Sequence, residues 1–450
     1  MIIKNGETLA TTQSRKKVLK IIEAGILSAL PTNIIRSVVR FDPDSRVIEI
    51  NSDAFHLSTG RIFVIGGGKA TGLMAKALED IIGAENIVDG VINCKESHLK
   101  TRKIKIITAG HPIPDHRGVS GIEQMLALKY RYSIDENDLV ISLISGGGSA
   151  LMPYPVDGVS LRDKQIITGL LVSSGAEINE INVVRKHLSK VKGGQLGNFY
   201  YPATVVSLIL SDVVGNDLAT IASGPTFSDL STFSDAFNVL KRYHLLNRAP
   251  KSVTEFLRKG CRGEMAETPK TLRKCYNYII GDNKLALKAM LNKARLMGFA
   301  PYIITDQQKG DTNMVAQFRA SEVLNKRYSE YDIILIGGET TIKLPDRAGK
   351  GGRNQHYAAV SMLSLIRYPG EWIVASIGTD GSDFIPEVAG AIVDQNTFNI
   401  AQAKNIDVKS YIERYDSNTL LDSIGNSLII TGDTGTNVGD IVIYLTSVPS

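Results

Sequence analysis

A glycine-rich turn that carries a lysine is the first segment of this chain whose residue types could do chemistry. Gly66–Lys69 follows the short apolar run Arg61–Ile65 and precedes a helical pattern over Ala70–Ile82. Glycine lets the backbone turn sharply and lets an anion approach the bare N–H groups at a helix N-terminus. Lys69 would add a mobile positive charge. We expect phosphate or carboxylate binding here, with a merely tight strand–helix turn as the alternative.

The spacing of this turn excludes the two common nucleotide-binding motifs. A Walker A loop would need glycine where Phe63 stands, and serine or threonine where Ala70 stands. A dinucleotide fingerprint would need its third glycine where Thr71 stands. Any anion site at this turn must therefore be of another kind.

A second glycine-rich turn follows the strand pattern Leu139–Ile144. Gly146–Gly148 is costly in chain entropy, which indicates that a ligand approaches the backbone closely. The flanking hydroxyls of Ser145 and Ser149 could donate hydrogen bonds to phosphate oxygens. A plain strand–helix corner is the alternative, and the missing Gly-x-Ser-x-Gly spacing argues against a nucleophilic serine.

A basic segment lies farther along the chain, within a helix predicted over Ile181–Gly193. On that helix Lys186 and Lys190 are four residues apart and share a face, with Asn182 and Arg185 close to it. Like charges so placed repel, and a polyphosphate would relieve the repulsion. A solvated basic face is the alternative interpretation.

Carboxylates follow two predicted strands. Asp212 comes directly after the apolar strand Val205–Leu210 and is followed by Asn216. At a strand end a carboxylate can act as a general base or as a ligand of Mg²⁺, and capping of the next turn is the alternative. Gly378–Asp383 supplies Asp380 and a second carboxylate, suited to Mg²⁺ or to a polar turn.

Arg353 stands in the glycine-rich segment Gly351–Gln355, just before a helical pattern. Its planar guanidinium fork can bind a carboxylate or a phosphate bidentately. The seven histidines show no metal-binding spacing, and His111 and His116 are expected to have structural roles in the loop that they flank.

These segments must be positioned by strands that alternate with helices. That alternation predicts an α/β fold with two Rossmann-like domains and mostly parallel sheets. We place the domain junction within 229–272, which gives an N-terminal domain over 1–245 and a C-terminal domain over 246–450. Ligands of open α/β sheets bind beyond the carboxyl ends of the strands, where every glycine-rich segment lies, so we expect one shared site.

Composition excludes several other classes of protein. The chain is 43% hydrophobic and 22% charged with a net charge of +5, and it has no basic run of the kind that binds nucleic acid. It has no signal peptide pattern and no apolar run near the roughly 20 residues that span a membrane. Three cysteines without a C-x-x-C pair fit the reducing cytoplasm, where we expect the protein.

Read in order, the glycine-rich and charged segments resemble the class II glycerate kinase family, whose C-terminal portion is called the MOFRL domain. The resemblance extends over nearly the whole chain, from about Ser14 to Leu445, and ten motifs in the same order are highly specific. The motifs are Gly66–Gly72, Ala109–Asp115, Ser145–Met152, Ile181–Gly194, Leu210–Asp217, Ala222–Thr226, Gly337–Thr340, Gly351–Gln355, Gly378–Gly381 and Thr436-Asn437.

The resemblance implies transfer of a phosphoryl group from ATP, with Mg²⁺, to D-glycerate, with 2-phosphoglycerate as the product in many relatives. It implies an active site in a cleft between two α/β domains. The family's active-site lysine, aspartate and arginine fall on Lys69, Asp212 and Arg353. The candidate residues are then as follows: catalytic, Lys69, Asp212 and Arg353; substrate-binding, Lys69, Ser145 and Arg353; nucleotide-binding, Gly146, Gly147, Gly148, Ser149, Lys186, Lys190 and Asn216; and metal-binding, Asp212 and Asp380.

Two departures from the family pattern leave nucleotide choice and local cleft shape open. His356 stands where the family commonly has glutamate, and Phe384-Ile385-Pro386 replaces a stretch usually richer in glycine. Two other functions also stay open: an NAD(P)H-dependent hydroxypyruvate reductase and a non-catalytic nucleotide-binding protein. The expected partners are D-glycerate and ATP, without nucleic acid or membrane, and a homodimer is one option for the assembly.

Overall fold

Two bodies of α/β structure make up the computed structural model, which describes residues 2–95 and 99–447. Ile34–Ile280 forms one body, named here the central unit. The chain up to Asn33 and the chain from Gly281 onward form the other, named here the terminal unit.

The elements alternate between strands and helices along most of the chain. The strands are β1 (Val39–Asp42), β2 (Val47–Ile50), β3 (Asp53–His56), β4 (Ile62–Gly67), β5 (Ile87–Cys94), β6 (Ile104–Thr108), β7 (Leu139–Ser145), β8 (Thr204–Leu210), β9 (Cys275–Gly281), β10 (Pro301–Gln308), β11 (Ile333–Gly338), β12 (Glu371–Gly378), β13 (Val388–Asp394), β14 (Leu428–Ile430) and β15 (Asp440–Ser447). The helices are α1 (Gly6–Leu9), α2 (Gln13–Ser28), α3 (Pro31–Val38), α4 (Thr71–Ile82), α5 (His116–Arg131), α6 (Gly148–Leu151), α7 (Leu161–Ser173), α8 (Ile178–His187), α9 (Gln195–Tyr200), α10 (Phe233–Arg242), α11 (Lys251–Cys261), α12 (Asn283–Leu296), α13 (Thr312–Leu324), α14 (Arg353–Ser364), α15 (Gln395–Ala403), α16 (Val408–Glu413) and α17 (Ser417–Ile424), with short 3₁₀ turns at Ala84–Asn86 and Ile221–Ser223.

The central unit is built on a six-stranded sheet with the order β6-β5-β4-β7-β8-β9. The neighbours from β6 to β8 are all parallel. Every residue of β4 and β7 is buried, as expected of parallel strands with both faces covered by other elements. A separate antiparallel sheet, β1-β2-β3, precedes it.

The terminal unit is built on a second six-stranded sheet with the order β10-β11-β15-β12-β13-β14. The pair β10 and β11 is parallel, whereas the other pairs are antiparallel. The α/β class and the mostly parallel sheet are therefore confirmed, the latter in the central unit. Strand β15 inserts between β11 and β12, while β14 pairs with β13.

The division into units differs from the predicted boundary between 245 and 246. Helices α10 and α11 stay in the central unit because Phe233, Leu240 and Leu257 pack in one apolar cluster with residues of α7 and α8. Strand β9 then extends the edge of the central sheet. At the other end of the chain, α2 packs against α12, which places the first helices in the terminal unit.

Among the described residues, no single helix is long and apolar enough to cross a membrane. The bent pair of α2 and α3 meets the same length and composition test only when the two helices are taken together.

Candidate active site

The central sheet has one reversal of strand order, and the predicted anion-binding turns lie beside it. The chain adds β5 and β6 on one side of β4, and β7 and β8 on the other. Ligands of open α/β sheets bind outside the carboxyl ends of the strands at such a reversal. Lys69 follows β4, Ser145 ends β7, and Asp212 follows β8. The sheet therefore brings these three predicted residues to one edge.

The turn that carries Lys69 is fixed by hydrogen bonds to its neighbours. The Lys69 N–H donates to the Gly146 carbonyl at 2.8 Å. The Ala70 N–H donates to Ser145 Oγ at 3.0 Å. Gly68 has to be glycine, since a Cβ there would lie 2.1 Å from the same Ser145 oxygen. The two glycine-rich turns thus hold each other in place.

Ser145 lies in a more buried environment than is expected of a residue that binds substrate. Its residue is 1% exposed and its hydroxyl oxygen accepts the Ala70 N–H. These contacts give Ser145 a role in positioning the lysine turn.

Asp212 and Lys69 lie on either side of the second turn. Oδ2 of Asp212 is 1.9 Å from the point that a Cβ on Gly146 would occupy. Gly147 has a left-handed backbone (φ 82°), and a Cβ there would lie 2.9 Å from Lys69 Cγ and 3.0 Å from the His111 ring. The bare backbone of this turn is thus flanked by a cation, a carboxylate and an imidazole.

His111 was expected to have only a structural role, yet it lies in this cluster. Burial, together with the positive charges of Lys69 and Lys95, lowers its pKa to about 4. The imidazole is therefore neutral near pH 7, where it can donate or accept a hydrogen bond but carries no charge. No signal in the sequence placed it here, because its loop reaches Gly147 only through the fold.

Ser149 takes part in a short chain of hydroxyl groups. Its Oγ lies 2.8 Å from Ser223 Oγ, and Ser223 Oγ donates to Asn182 Oδ1 at 3.0 Å. Since Ser223 has one proton to give, the Ser149 hydroxyl donates to Ser223 in this arrangement. Ser149 would have to turn its hydroxyl to donate to a phosphate.

The predicted basic face formed by Lys186 and Lys190 is wrong. Helix α8 ends at His187, and Lys190 lies beyond it with its N–H bonded to the Tyr154 carbonyl at 2.9 Å. Lys186 is buried and pairs with the buried Asp229 at 3.3 Å. Lys190 pairs with Asp157 at 2.5 Å. The two ammonium groups therefore share no helix face, and each already has a carboxylate partner.

Asn216 lies in the same loop as Asp212, a few residues along. Its backbone is left-handed (φ 57°), and its N–H donates to the Val213 carbonyl at 3.0 Å. Asparagine adopts this conformation more readily than most residues, so the turn itself accounts for the residue type.

A cavity of about 630 Å³ adjoins the Gly147 turn. Three cations line it, to which sequence reasoning gave no binding role: Lys164 on α7, Arg185 on α8 and Lys192. A signal for Lys164 was present, because it falls on the buried stripe of α7 formed with Leu161 and Ile167. A lysine at a core-facing position of an amphipathic helix requires an explanation.

In the terminal unit, Arg353 is the first residue of α14 and its charge is already paired. Nε and Nη2 bind the two oxygens of Asp440 at 2.6 and 3.0 Å, and Nη1 contacts Glu339 at 2.7 Å. Burial would lower the Arg353 pKa, but these carboxylates raise it. Its side chain is 34% exposed, so part of the guanidinium still faces solvent.

The two carboxylates of Gly378–Asp383 have different places. Asp383 is buried and accepts the N–H groups of Asn354 and Gln355 at 3.0 and 2.8 Å, which caps the start of α14. Burial raises its pKa to about 6, a value that those two hydrogen bonds moderate. Asp380 is half-buried in the turn, where Oδ1 accepts the Ser382 N–H at 3.1 Å.

The two departures from the family pattern differ in their exposure to solvent. His356 is 1% exposed, with Nε2 at 2.8 Å from Asn313 Oδ1 and its ring stacked on Tyr415. Phe384 is 84% exposed. His356 therefore belongs to the packing of the terminal unit, whereas Phe384 is a surface residue.

Within residues 2–95 and 99–447, no group of three or more His, Cys, Asp or Glu side chains is arranged to hold a metal ion. Mg²⁺ commonly binds through one or two carboxylates together with substrate phosphates. Asp212 beside a phosphate-sized turn fits that mode.

Comparison with known proteins gives two family matches. Residues 17–258 match a domain of unknown function, DUF4147, and residues 332–440 match the MOFRL family. The second match lies wholly within the terminal unit.

Several relatives cover nearly the whole chain. A glycerate 2-kinase of Pyrococcus horikoshii is 38% identical over 95% of this chain and 96% of its own. A crystal structure of a glycerate kinase from Thermotoga maritima has a TM-score of 0.83 at 34% identity, covering 96% of this chain and 99% of its own. A protein of Agrobacterium vitis, described provisionally as a hydroxypyruvate reductase, is 35% identical over 85% of this chain and 98% of its own.

Proposed function

This chain belongs to the class II glycerate kinase family, and from that premise we propose that it transfers a phosphoryl group from ATP, with Mg²⁺, to D-glycerate, giving 2-phosphoglycerate. The observation that carries the proposal is the cluster at the strand-order reversal. There Lys69 and Asp212 flank the bare backbone of Gly146 and Gly147.

Phosphoryl transfer needs mainly positioning and neutralisation of charge on the moving phosphoryl group. Asp212 accepts the proton of the attacking hydroxyl or orients that hydroxyl. Lys69 neutralises charge on the substrate and on the transferred group. The N–H groups of the Gly146–Gly148 turn, with Ser149, approach the phosphate oxygens of ATP.

Arg353 is proposed to bind the glycerate carboxylate. The buried Asp440 pairs with one edge of the Arg353 guanidinium, whereas the Glu339 side chain on the other edge is 41% exposed. Exposed ion pairs contribute little free energy, so a substrate carboxylate can take the place of Glu339 at Nη1. Asp440 would then keep the guanidinium oriented during binding.

Mg²⁺ is proposed to arrive with the nucleotide and to contact Asp212, and Asp380 is a further candidate ligand. Bound there, the ion would neutralise charge on the phosphates. Asp212 is favoured because its Oδ2 lies beside the bare backbone of Gly146, where the phosphates are proposed to bind.

The test is the rate of ADP formation with D-glycerate for Lys69→Ala, Asp212→Asn and Arg353→Ala. Each should lower kcat/KM at least about 100-fold, because each removes charge at the reacting groups. Lys241→Ala, at an exposed lysine near the end of α10, is the control and should leave the rate unchanged. Activity within about threefold of wild type in all three variants would refute the assignment, and phosphorus NMR identifies which hydroxyl is phosphorylated.

A hydroxypyruvate reductase is the second candidate, since one relative is described in that way. The geometry at Thr71 disfavours it. A dinucleotide fingerprint needs glycine there so that helix and strand can pack closely. Thr71 is fully buried, with Oγ1 2.8 Å from the Gly68 carbonyl and 2.9 Å from the Asn93 carbonyl. Loss of NADH absorbance with hydroxypyruvate, measured beside ADP formation with D-glycerate, separates the two activities.

The cytoplasmic location, the absence of nucleic-acid and membrane partners, and the homodimer stay predictions. Fractionation of cells that produce the full chain tests the location, and light scattering of the purified protein tests the assembly.

A further inference from the structure

The cavity beside the Gly147 turn contains positive charge without matching negative charge. Nζ of Lys164 is buried and has no hydrogen-bond partner in the described chain. No hydrogen bond or ion pair joins Arg185 to another described residue, and the guanidinium is half-buried. Within the described part of the chain, Lys192 donates only to the carbonyl oxygens of Gly148 and Ala222, both at 3.0 Å.

This arrangement is costly for the protein on its own. Charged groups removed from water are normally paired, and like charges around one cavity repel each other. Burial and the charges of Lys164 and Arg185 accordingly lower the pKa of Lys192 well below its usual value. Burial, together with the charge of Arg185, lowers the pKa of Lys164 to about 7. A bound polyanion would remove both penalties. A single carboxylate, as in glycerate, would balance only one of the three charges.

The rim of the same cavity is apolar and open to solvent. Ile113 is 68% exposed and Ile166 is 40% exposed, although both are large aliphatic residues. Pro153 and Ala150 extend this apolar wall. A ligand that fills the cavity therefore has a strongly anionic part and a flat or apolar part. The volume, about 630 Å³, is in the usual range for sites of drug-sized ligands and much larger than a three-carbon acid requires.

We propose that this cavity is the nucleotide site: Lys164, Arg185 and Lys192 hold the phosphate chain of a nucleoside triphosphate, and the Ile113 and Ile166 rim receives its base. The cavity meets the Gly147 backbone and Ser149, so the end of the phosphate chain reaches the turn flanked by Lys69 and Asp212. The inference rests on the proposed function for the identity of the nucleotide as ATP. It replaces the earlier assignment of Lys186 and Lys190, whose charges are already paired.

The decisive experiment is calorimetric titration of the full chain with MgATP, in the absence of D-glycerate, for Lys164→Met and Arg185→Met. Loss of one charge-assisted contact should raise the Kd for MgATP about 10- to 100-fold in each variant. Methionine keeps the length and apolar bulk of the replaced stems, and circular dichroism confirms that both variants fold. Lys241→Met is the matched control and should bind as wild type does.

Two further measurements distinguish this inference from its rivals. The KM for D-glycerate should stay within about threefold of wild type in both variants, because the cavity holds the other substrate. Inorganic triphosphate should bind the wild type more weakly than ATP does, since it lacks the base. The uncharged substitution Ile113→Asn should weaken ATP binding while leaving triphosphate binding unchanged.

The inference would be overturned if both methionine variants bound MgATP within about threefold of wild type. It would also be overturned by a rise in the KM for D-glycerate alone, which would make the cavity the acid site, or by equal binding of triphosphate and ATP. Weakened nucleotide binding in both methionine variants, together with no turnover of D-glycerate by the wild type, would support the cavity assignment and refute the proposed function. Turnover of D-glycerate by the wild type, with unchanged nucleotide binding in the variants, would support the proposed function and refute the cavity assignment.

Discussion

Replacement of Lys164 by methionine should make the ligand-free protein more stable, which is unusual for a change in a binding cavity. The ammonium group is buried, has no partner in the described chain and is repelled by Arg185. Methionine fills a similar volume without charge. The nearby His111 is neutral above about pH 5, since its own pKa is about 4, and therefore adds no further positive charge.

The magnitude follows from the pKa of Lys164, which is lowered from 10.5 to about 7. A tenfold change in an ionisation constant corresponds to about 1.4 kcal/mol, so the charged form is disfavoured by on the order of 5 kcal/mol. For 150–250 residues each kcal/mol changes Tm by about 2–4 °C. We therefore expect Lys164→Met to raise the Tm of the central unit by at least about 5 °C at pH 6.5.

The difference should disappear at high pH. Between about pH 7 and 10.5 the unfolded chain keeps the lysine proton while the folded chain has lost it, so the unfolded state binds more protons. Wild-type stability accordingly rises with pH through this window, whereas the methionine variant has no such rise from this position. Above pH 10.5 neither state carries the charge, and the two proteins should converge.

The assay is differential scanning calorimetry in chloride buffers at pH 6.5 and pH 10, without phosphate, sulfate or nucleotide. Lys241→Met serves as the control and should change Tm at neither pH. A lower Tm for Lys164→Met at pH 6.5, or the same difference at both pH values, would refute the reasoning. MgATP should then raise the Tm of wild type more than that of the variant, because a ligand stabilises the state that it binds.

Two further predictions test the positions of single groups. Gly146→Ala places a Cβ 1.9 Å from Asp212 Oδ2, so it should displace the carboxylate and lower kcat about 10- to 100-fold. Steady-state kinetics measure this effect. An unchanged kcat in a folded variant would show that the position of Asp212 does not matter for the reaction. Lys186→Met leaves the buried Asp229 without its cation and should cost about 3–5 kcal/mol of stability, whereas Lys190→Met, next to the exposed Asp157, should cost less than about 1 kcal/mol. Thermal unfolding compares the two, and equal losses would contradict the assignment of one pair as buried.

The sequence predicted the parts of the site that lie next to each other along a strand and its turn. An apolar strand followed by glycine is a local pattern, so the positions of Lys69, Ser145 and Asp212 at strand ends could be read directly. That they meet at one edge depends on the order β5-β4-β7-β8, which is set by pairing between distant strands. Only the general rule for open α/β sheets anticipated it.

The end of helix α8 shows why other parts could not be predicted. From Leu188 to Val191 the sequence continues a helical pattern, with no glycine before Gly193. The structure ends the helix because this segment bonds instead to a distant one: the Lys190 N–H donates to Tyr154, and Ser189 bridges to Pro155. A long-range contact thus overrides the local helical preference.

The division into units differs from the predicted domain boundary for the same kind of reason. A polar helical stretch suggests a junction when it is considered alone, yet α10 and α11 bury apolar side chains, among them Phe233 and Leu257, against the rest of the central unit. Apolar residues at helical spacing indicate that a helix is covered, but they do not indicate which body covers it.

The positions of lysine and arginine in the sequence do not by themselves identify the residues that bind an anionic ligand. In the sequence, Lys186 and Lys190 formed the more suggestive pair, whereas Lys164 and Arg185 lay apart on different helices. For these four cations, the sequence does not tell whether a carboxylate already neutralises the charge, because that property belongs to the fold. Lys186 and Lys190 have such partners, while Lys164 and Arg185 face a cavity without one in the described chain. A buried cation that the protein itself leaves uncompensated is therefore better evidence for an anionic ligand than a basic run is.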